Sequence, residues 1–454
     1  MNLRAVRRTL WVVPWMVVMG CASTRLESAE SVRSAFDRTG AADERRHSED
    51  DRALIGLVLD RAAFVRAVLA RNRSIESARQ GWRAAVARVR QSGVFDDPTM
   101  TVSVAPLSIG SKTRMSWDAM VSQKLLWPGK LALDEALASA EADAARSDFE
   151  SAERDLALTA SLLFDQYFVS ARSIEINAHH VDLMRSMRAA AAVQYETGRG
   201  SAHDPLQAEF ELAHMEHDTV ILASQRDVTL AQMNELLHRA PELPLPPPPS
   251  DLPAPALRDP VDRERFQREA VERRPDILGM RERARAEQVR ADRARREFLP
   301  DVTLSTAYSS FWDAPEQRWT VGLNFNLPVQ VARRAGQVDE ANAMRAQFEA
   351  DASRLSDAAR TQVVVALKQL EESEHVLHLY EQRLVPVARD EVDAALAAFT
   401  ASQTPFVAVV DAEKNLRSVE LDLQMARADC DRRSAELDRA LGRIPGTGGS
   451  EVAP

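Results

Sequence analysis

Paired histidines are the side chains of this sequence best suited to bind a metal ion. His179 and His180 are adjacent, and His214 and His217 are three residues apart on a predicted helix. Imidazole suits zinc or copper, and thioethers suit soft metals, but neither pair brings a third ligand. A weak metal site and ordinary polar histidines are both possible, and we expect no metal site. The neighbouring methionines, which we expect to pack between helices, are Met184, Met187 and Met215.

Catalytic motifs would be the other source of chemistry, and the usual ones do not occur. The sequence has no glycine-rich phosphate loop, no HExxH and no GxSxG. Carboxylates are numerous, but they recur beside arginines at the i, i+4 spacing of solvated helix pairs. We therefore expect no enzymatic activity and no cofactor.

The two cysteines have different surroundings. Cys21 ends a segment with three arginines and an apolar stretch, 10–19, that is too short to span a bilayer. The run Val18-Met19-Gly20-Cys21 resembles the lipobox of bacterial lipoproteins, in which the cysteine is acylated after cleavage, although an ordinary secretory signal has a similar outline. Cys430 is predicted to be a small core residue. It belongs to a seven-residue series: Val409, Leu416, Leu423, Cys430 and Leu437.

The charge balance argues against a nucleic-acid partner. Removal of residues 1–20, with three arginines and no acid, changes the formal charge from 58 − 68 = −10 to 55 − 68 = −13. Phosphate binding relies on basic patches, so an acidic exported protein is a poor nucleic-acid binder.

The elements that position these residues occur twice in the chain. Trp117 and Trp319 each begin an alternating stretch and are 319 − 117 = 202 residues apart, while Tyr195 and Phe399 are 399 − 195 = 204 apart. A repeat of this length indicates a duplicated unit. Each copy is predicted as helix, strand, strand, very long helix and helix.

Alternating apolar and polar residues predict the strands. They cover 99–107 and 117–127 in the first copy and 319–327 in the second, where another strand follows Pro300 with alternation at Val302, Leu304, Thr306 and Tyr308. Each is about 9–11 residues long, as a tilted transmembrane strand requires. A soluble sheet with one packed face would alternate in the same way. The first copy begins with a predicted helix, 57–91.

The long helices are predicted at 129–197 and 331–401, with Gly336 and Pro386 as the only breakers. About 68 residues of helix would span roughly 100 Å. Apolar positions recur every seven residues, which predicts coiled-coil packing without a globular core. These positions are Leu162, Val169, Ile176, Leu183 and Ala190 in the first copy, and Val363, Leu370, Leu377 and Leu384 in the second.

Four strands cannot close into a barrel by themselves. An open sheet edge in hydrocarbon leaves amides without partners, at several kcal/mol each. The chain is therefore expected to oligomerise, and three copies would supply 12 strands and a ring of helices around a tube. The fold class is mainly α with a small β part.

The duplicated plan resembles the TolC family of outer-membrane efflux channels. Two motifs support this resemblance, the junction Trp127-Pro128-Gly129-Lys130 and the run from Tyr195 and Gly198 to Asp204. The resemblance implies a homotrimer in the outer membrane, with a 12-stranded β-barrel continued by a periplasmic α-barrel. It also implies a periplasmic adaptor and an inner-membrane pump as partners. Small molecules, metal ions and polypeptides all remain possible cargo, the last through a type I secretion system. A periplasmic adaptor or scaffold lipoprotein is an alternative of a different class.

The resemblance also places a periplasmic gate where the second long helix turns into the last helix, and it assigns Tyr195 of the first copy to the same gate. Phe399 matches the family's tyrosine, Thr404 its arginine, and Asp204 the aspartate that pairs with it. Ala408 and Asp411 match two aspartates that can ring the constriction. Because the guanidinium is missing, the charge-assisted clamp cannot form. We expect closure by packing around Phe399, Pro405 and Phe406, with Asp411 either forming a cation-selective ring or facing solvent.

The predicted division of the chain follows from these features. Dense prolines separate the two copies and favour a semi-rigid extended linker. The segments are a signal peptide (1–20), a lipid-anchored polar segment (21–56), the first copy (57–240), the linker (241–261), the second copy (262–442) and a tail (443–454).

Overall fold

A computed structural model describes residues 58–105, 115–252, 263–312, 314–401 and 403–446. The predicted signal peptide, Cys21 and the polar segment 21–56 lie outside the described residues, as do most of the tail and part of the linker. Within the described ranges, no helix is both long enough and apolar enough to cross a membrane.

The described chain is mainly helical with one small sheet, as predicted. The elements before the linker are α1 (Arg61–Arg71), α2 (Arg73–Gln91), β1 (Thr99–Ala105), β2 (Ser116–Leu125), α3 (Lys130–Glu196) and α4 (His203–Leu236). Those after it are α5 (Arg263–Arg273), α6 (Pro275–Arg295), β3 (Val302–Ser309), β4 (Trp319–Phe325), α7 (Val331–Leu379), α8 (Val385–Thr400) and α9 (Phe406–Ala440).

The chain divides into two compact units. The first contains the described parts of 79–148 and 276–354, including all four strands. The second contains the described parts of 41–78, 149–275 and 355–454. Residues 130–148 of α3 belong to the first unit and 149–196 to the second.

The sheet is antiparallel, with the strand order β1-β2-β3-β4. The strands contain 7, 10, 8 and 7 residues, so the expected 9–11 was too long for three of them. The register places apolar residues of all four strands on one face, because paired residues in neighbouring strands point the same way. Rows across the sheet include Met100, Val121, Thr306 and Val321, and also Val102, Ala119, Tyr308 and Trp319.

This apolar face of the sheet is exposed. Val321 is 77% exposed and Met100 and Trp319 are each 68% exposed. At one end of the face the Tyr308 ring lies between two indoles, 5.0 Å from Trp117 and 5.2 Å from Trp319 between centroids. In the described chain, β1 and β4 each have a neighbour on one side only.

The first predicted helix is two helices. Asn72 adopts extended backbone angles after α1, and its Oδ1 accepts a hydrogen bond from the Ser74 amide at 2.9 Å. An Asn side chain that satisfies backbone donors in this way favours a helix boundary over a continuous helix.

The second long helix is interrupted, contrary to the expectation. A π-helical turn at Tyr380–Leu384 separates α7 from α8 and precedes Pro386. A π-turn adds one residue to the helix period, and the buried seam moves with it. Val363, Leu370 and Leu377 are buried as predicted, but beyond the turn the buried positions are Val385, Ala388 and Val392 rather than Leu384.

The seam of α3 was also placed wrongly. Ala190 is exposed, and the expected positions Leu162, Val169, Ile176 and Leu183 are only half-buried. The buried seam in this part of the helix alternates steps of four and three residues and includes polar side chains. It consists of Ser173, Asn177, His180, Met184, Met187 and Ala191. By contrast, all five residues of the series from Val409 to Leu437 are buried, and Cys430 is a core residue as predicted.

The second unit has a compact core, so the expectation of helices without one was wrong. Phe64, Phe164, Phe168 and Met233 are fully buried in it. The described part of the linker, 241–252, contains no helix or strand, and its Leu245 and Leu252 pack in this core. The Leu59 amide donates to the Pro247 carbonyl at 2.8 Å, and the Tyr167 hydroxyl donates to the Pro246 carbonyl at 3.2 Å.

Candidate functional site

The turn between α3 and α4 contains two of the predicted gate residues. Gly198 has φ +71°, a conformation that favours glycine, and its amide donates to the Tyr195 carbonyl at 3.0 Å. Asp204 Oδ2 accepts a hydrogen bond from the Ser201 amide at 3.0 Å, and Ser201 Oγ accepts one from the His203 amide at 3.2 Å. Asp204 therefore stabilises the beginning of its own helix, in the manner of a capping box.

The turn between α8 and α9 contains the remaining gate residues and is mostly apolar. The rings of Phe399 and Phe406 pack at 5.2 Å between centroids, tilted by 58°. Both side chains are buried, with exposed fractions of 7% and 2%. The Thr404 hydroxyl is buried without a hydrogen-bond partner. The Ala408 amide donates to the Pro405 carbonyl at 3.1 Å and helps to start α9.

A buried cluster, called here the tip cluster, packs the ends of α3 and α4 against those of α8 and α9. It consists of Val181, Met184, Met187, Ala191, Ala208, Leu212, Met215, Phe399, Phe406, Val409 and Val410. The three methionines are therefore packing residues, as predicted. The Phe399 ring is buried in this cluster, and the closure of a gate by helix packing stays a prediction.

The predicted polar members of the gate are not brought together. Tyr195 is 51% exposed, and Asp411 is exposed. Within the part of the chain that the structure describes, neither Asp204 nor Asp411 forms an ion pair, and no hydrogen bond joins Tyr195 or Asp204 to Thr404. The two turns are joined by apolar contacts.

A buried polar contact between the two copies lies next to the tip cluster and was not predicted. His180 of α3 is 1% exposed, and Glu413 of α9 is fully buried. His180 Nδ1 forms a short hydrogen bond with Glu413 Oε1, and Nε2 lies 3.1 Å from Glu420 Oε2. Arg389 of α8 donates to Glu420 Oε1 at 2.8 Å. We call these four residues the His180 network.

The contacts of the His180 network shift the pKa values of two of its members. Burial lowers the pKa of His180, but the hydrogen bonds with Glu413 and Glu420 outweigh it and raise the pKa to about 9. The hydrogen bond from His180, followed by that from Arg389, lowers the pKa of Glu420 to about 2. His180 is therefore a buried imidazolium at neutral pH.

The other histidines of the first copy have different surroundings. His179, His214 and His217 are exposed, and His214 packs edge-on against the Phe210 ring at 4.8 Å. Within the described residues, no group of three or more His, Cys, Asp or Glu side chains could hold a metal ion.

The predicted strand-to-helix junction is built around a buried lysine in the first unit. Lys130 is fully buried, and its Nζ donates to Asp301 Oδ1 at 2.8 Å and to the Leu299 carbonyl at 3.4 Å. Glu297 Oε2 lies 3.5 Å from the same ammonium group. We call Lys130, Glu297 and Asp301 the junction network. It joins the start of α3 to the segment just before β3.

The preceding residues explain how the chain reaches Lys130. The Trp127 amide donates to Asp301 Oδ1 at 2.9 Å, and Arg296 donates to the Pro128 carbonyl at 2.6 Å. Gly129 has φ +86°, and a Cβ atom there would lie 2.0 Å from Arg296 Nη1. The junction therefore requires glycine at this position.

Both carboxylates of the junction network are held in their charged forms. Burial raises the pKa of Asp301, but hydrogen bonds from Lys130 and from the Trp127 amide outweigh it and hold the pKa below its usual range. Burial also raises the pKa of Glu297, but Arg293 and Lys130 outweigh it and lower the pKa. Both carboxylates are therefore ionised throughout the neutral range.

We compared the sequence with protein families and the fold with solved structures. The family model described as outer membrane efflux protein matches residues 267–443. No curated protein matches the sequence.

Several solved structures share the fold over most of the chain. CusC has a TM-score of 0.73 at 16% identity, over 85% of this chain and 93% of that one. A membrane protein from Pseudomonas aeruginosa has a TM-score of 0.72 at 19% identity, over 88% and 94%. The outer membrane protein VceC from Vibrio cholerae has a TM-score of 0.69 at 17% identity, over 84% and 95%.

At these identities the structures establish the fold, while the family match covers most of the second copy. Residues 267–443 are thus similar to outer membrane efflux proteins in sequence, and most of the chain shares the fold of these solved structures.

Proposed function

We propose that this protein is the outer-membrane channel of a tripartite efflux system that exports small molecules or metal ions. One observation carries the proposal most directly. The sheet exposes a continuous apolar face and has unpaired edges at β1 and β4 in the described chain. Water does not favour such a face, and lipid does not tolerate such edges.

Assembly of three copies resolves both problems at once. Pairing β1 of one copy with β4 of the next would close a 12-stranded barrel, an even number within the range of outer-membrane barrels. The apolar faces would then meet lipid, and the helices would enclose the continuing conduit. The family match and the shared fold support transport rather than catalysis as the activity.

The remaining parts of the proposal extend this assembly to partners and location. The protein would lie in the outer membrane, with acylated Cys21 as a lipid anchor and the helices in the periplasm. A periplasmic adaptor and an inner-membrane pump would complete the export path. A type I secretion duct would use the same tube, and polypeptide cargo would distinguish it. The adaptor or scaffold alternative has less support, since the similar solved structures include outer-membrane channels.

We further propose that the tip cluster is the closed periplasmic gate. Phe399 and Phe406 supply the closure, in place of the clamp that Thr404 cannot form. Asp411 is exposed beside this cluster, two residues after Val409, and three copies would form an acidic ring that favours cations. Asp411→Ala is expected to lower the cation selectivity of single channels. Unchanged selectivity would show that Asp411 merely faces solvent.

Fractionation and assembly test the proposed function itself. The protein should separate with outer membranes and migrate as a detergent-stable trimer that dissociates on heating. Cys21→Ala should abolish labelling by a fatty-acid probe. A protein that becomes soluble once its lipid is removed, and remains monomeric, would instead support the adaptor alternative.

A further inference from the structure

We propose that the His180 network is a pH-dependent latch that holds the two copies together beside the closed tip. This inference rests on the proposed channel function, because a latch regulates opening only if the tip is a gate. His180 lies four residues before Met184 of the tip cluster, and Glu413 lies three residues after Val410. The latch and the tip cluster therefore share the same helices.

Burial makes the network depend on His180. Glu413 is fully buried, and its second oxygen, Oε2, has no hydrogen-bond partner among the residues that the structure describes. The imidazolium is thus the cation that Glu413 faces. Removing one partner of a buried ion pair leaves an uncompensated charge and is strongly destabilising.

Because of where the charged groups on the surrounding helices form their contacts, His180 is the cation that faces Glu413. From α9, Glu413 and Glu420 face the ring, and Arg389 of α8 reaches it through Glu420. Two carboxylates of α4 are paired with other cations of α9. These pairs are Glu211 with Lys414 at 2.5 Å and Asp218 with Arg417 at 2.6 Å.

The charges of the network balance only while His180 is protonated. His180 and Arg389 then offset Glu413 and Glu420. The pKa of His180 rises from 6.5 to about 9 on folding, so its stabilisation is complete below pH 6.5 and is lost as the pH rises through 9. The pKa of Glu420 falls from 4.5 to about 2, so its contribution is complete above pH 4.5 and does not change in this window.

Loss of the proton would weaken the link between α3 and α9 and favour opening of the tip. One proton per protomer changes the equilibrium by up to about tenfold per pH unit. Alkaline conditions, rather than acid, are therefore the signal that this latch would sense.

The test compares the purified full-length protein with two variants, His180→Gln and His179→Gln. His179 is the matched control, since it is the same residue type one position away and is exposed. The first readout is hydrogen–deuterium exchange of peptides covering 177–184 and 409–423 at pH 6 and pH 9.5, corrected for intrinsic exchange. The second is the open probability in planar bilayers at the same two pH values.

Wild type and His179→Gln should lose protection by tenfold or more between pH 6 and pH 9.5, with a parallel rise in open probability. His180→Gln should exchange rapidly and open frequently at both pH values. The same pH response in His180→Gln as in wild type would overturn the latch. A wild type that never conducts would refute the channel, while the exchange data would still decide whether His180 links the helices.

A second variant covers the case in which His180→Gln does not fold. Glu420→Gln removes one of the two hydrogen bonds that raise the pKa of His180. The midpoint of the exchange transition should therefore move from about pH 9 toward 6.5. A purely structural role of Glu420 would lower protection without moving the midpoint, and that result would also contradict the latch.

Discussion

Lys130 and His180 are both buried cations that join the first copy of the repeat to the second, but their chemistry differs. In the first unit, Lys130 meets Asp301 and Glu297, and in the second unit His180 meets Glu413 and Glu420. Each cation is at most 1% exposed.

The difference lies in the pH at which each network changes its charge. Both carboxylates of the junction network have lowered pKa values, so both stay charged across the neutral range. The His180 network changes charge as the pH rises through about 9. The comparison indicates that the ion pairs of the junction network persist across the neutral range. Those of the His180 network, near the tip cluster, are lost at alkaline pH.

The largest effect is expected at the permanent link. Lys130→Met keeps the volume of the side chain but leaves Asp301 buried without its main cation, which should destabilise the protein by about 3–5 kcal/mol. Urea unfolding of the detergent-solubilised protein measures this, and the loss should be similar at every pH from 6 to 9. Lys124→Met is the control, because Lys124 lies 3.8 Å from Asp301 with a half-exposed side chain and should cost less than about 1 kcal/mol. Equal losses in both variants would show that burial of Lys130 is unimportant.

A smaller effect is expected from the backbone of the same junction. Gly129→Ala should cost about 1–3 kcal/mol, because φ is +86° and the new methyl group would displace Arg296 from the Pro128 carbonyl. Gly336→Ala is the matched control, since Gly336 lies inside α7 with open space around it. That substitution should stabilise by about 0.5–1 kcal/mol. The two substitutions should shift the unfolding midpoint in opposite directions. A stabilising Gly129→Ala would contradict the junction geometry.

The smallest effect is expected where an ion pair is exposed. Arg345 donates to Glu349 at 2.7 Å on α7, with side chains 41% and 52% exposed. Arg345→Ala should cost about 0.3–0.5 kcal/mol, and 1 M salt should remove most of that difference. A cost as large as that of Lys130→Met would mean that burial does not distinguish the two networks from surface pairs.

The elements were predictable because their signals are local. The expected long helix at 129–197 is observed as Lys130–Glu196, and the apolar alternation located all four strands. The seven-residue series through Cys430 is buried, since a regular helix keeps its period. Phe399 packs in the tip cluster, while its role in a gate stays a prediction.

The polar links were not predictable by the same reasoning. The seam of α3 was sought among apolar residues, whereas the buried positions include Ser173, Asn177 and His180. The sequence did contain a signal for this seam. The spacing of these residues alternates between four and three, and it continues through Met184 and Met187. The pairing of Lys130 with Asp301 joins residues 301 − 130 = 171 apart, and no local pattern encodes it. The π-helical turn near Pro386 shifted the second seam by one residue, which a fixed heptad count cannot follow.

The most direct test of the whole account is conductance of the purified, acylated protein in planar bilayers. Closure of a shared barrel by three copies predicts discrete, long-lived conductance steps from a trimeric preparation. A preparation that remains monomeric, leaves β1 and β4 unpaired and produces no steps at any pH would contradict the central claim that copies of this chain assemble into a channel.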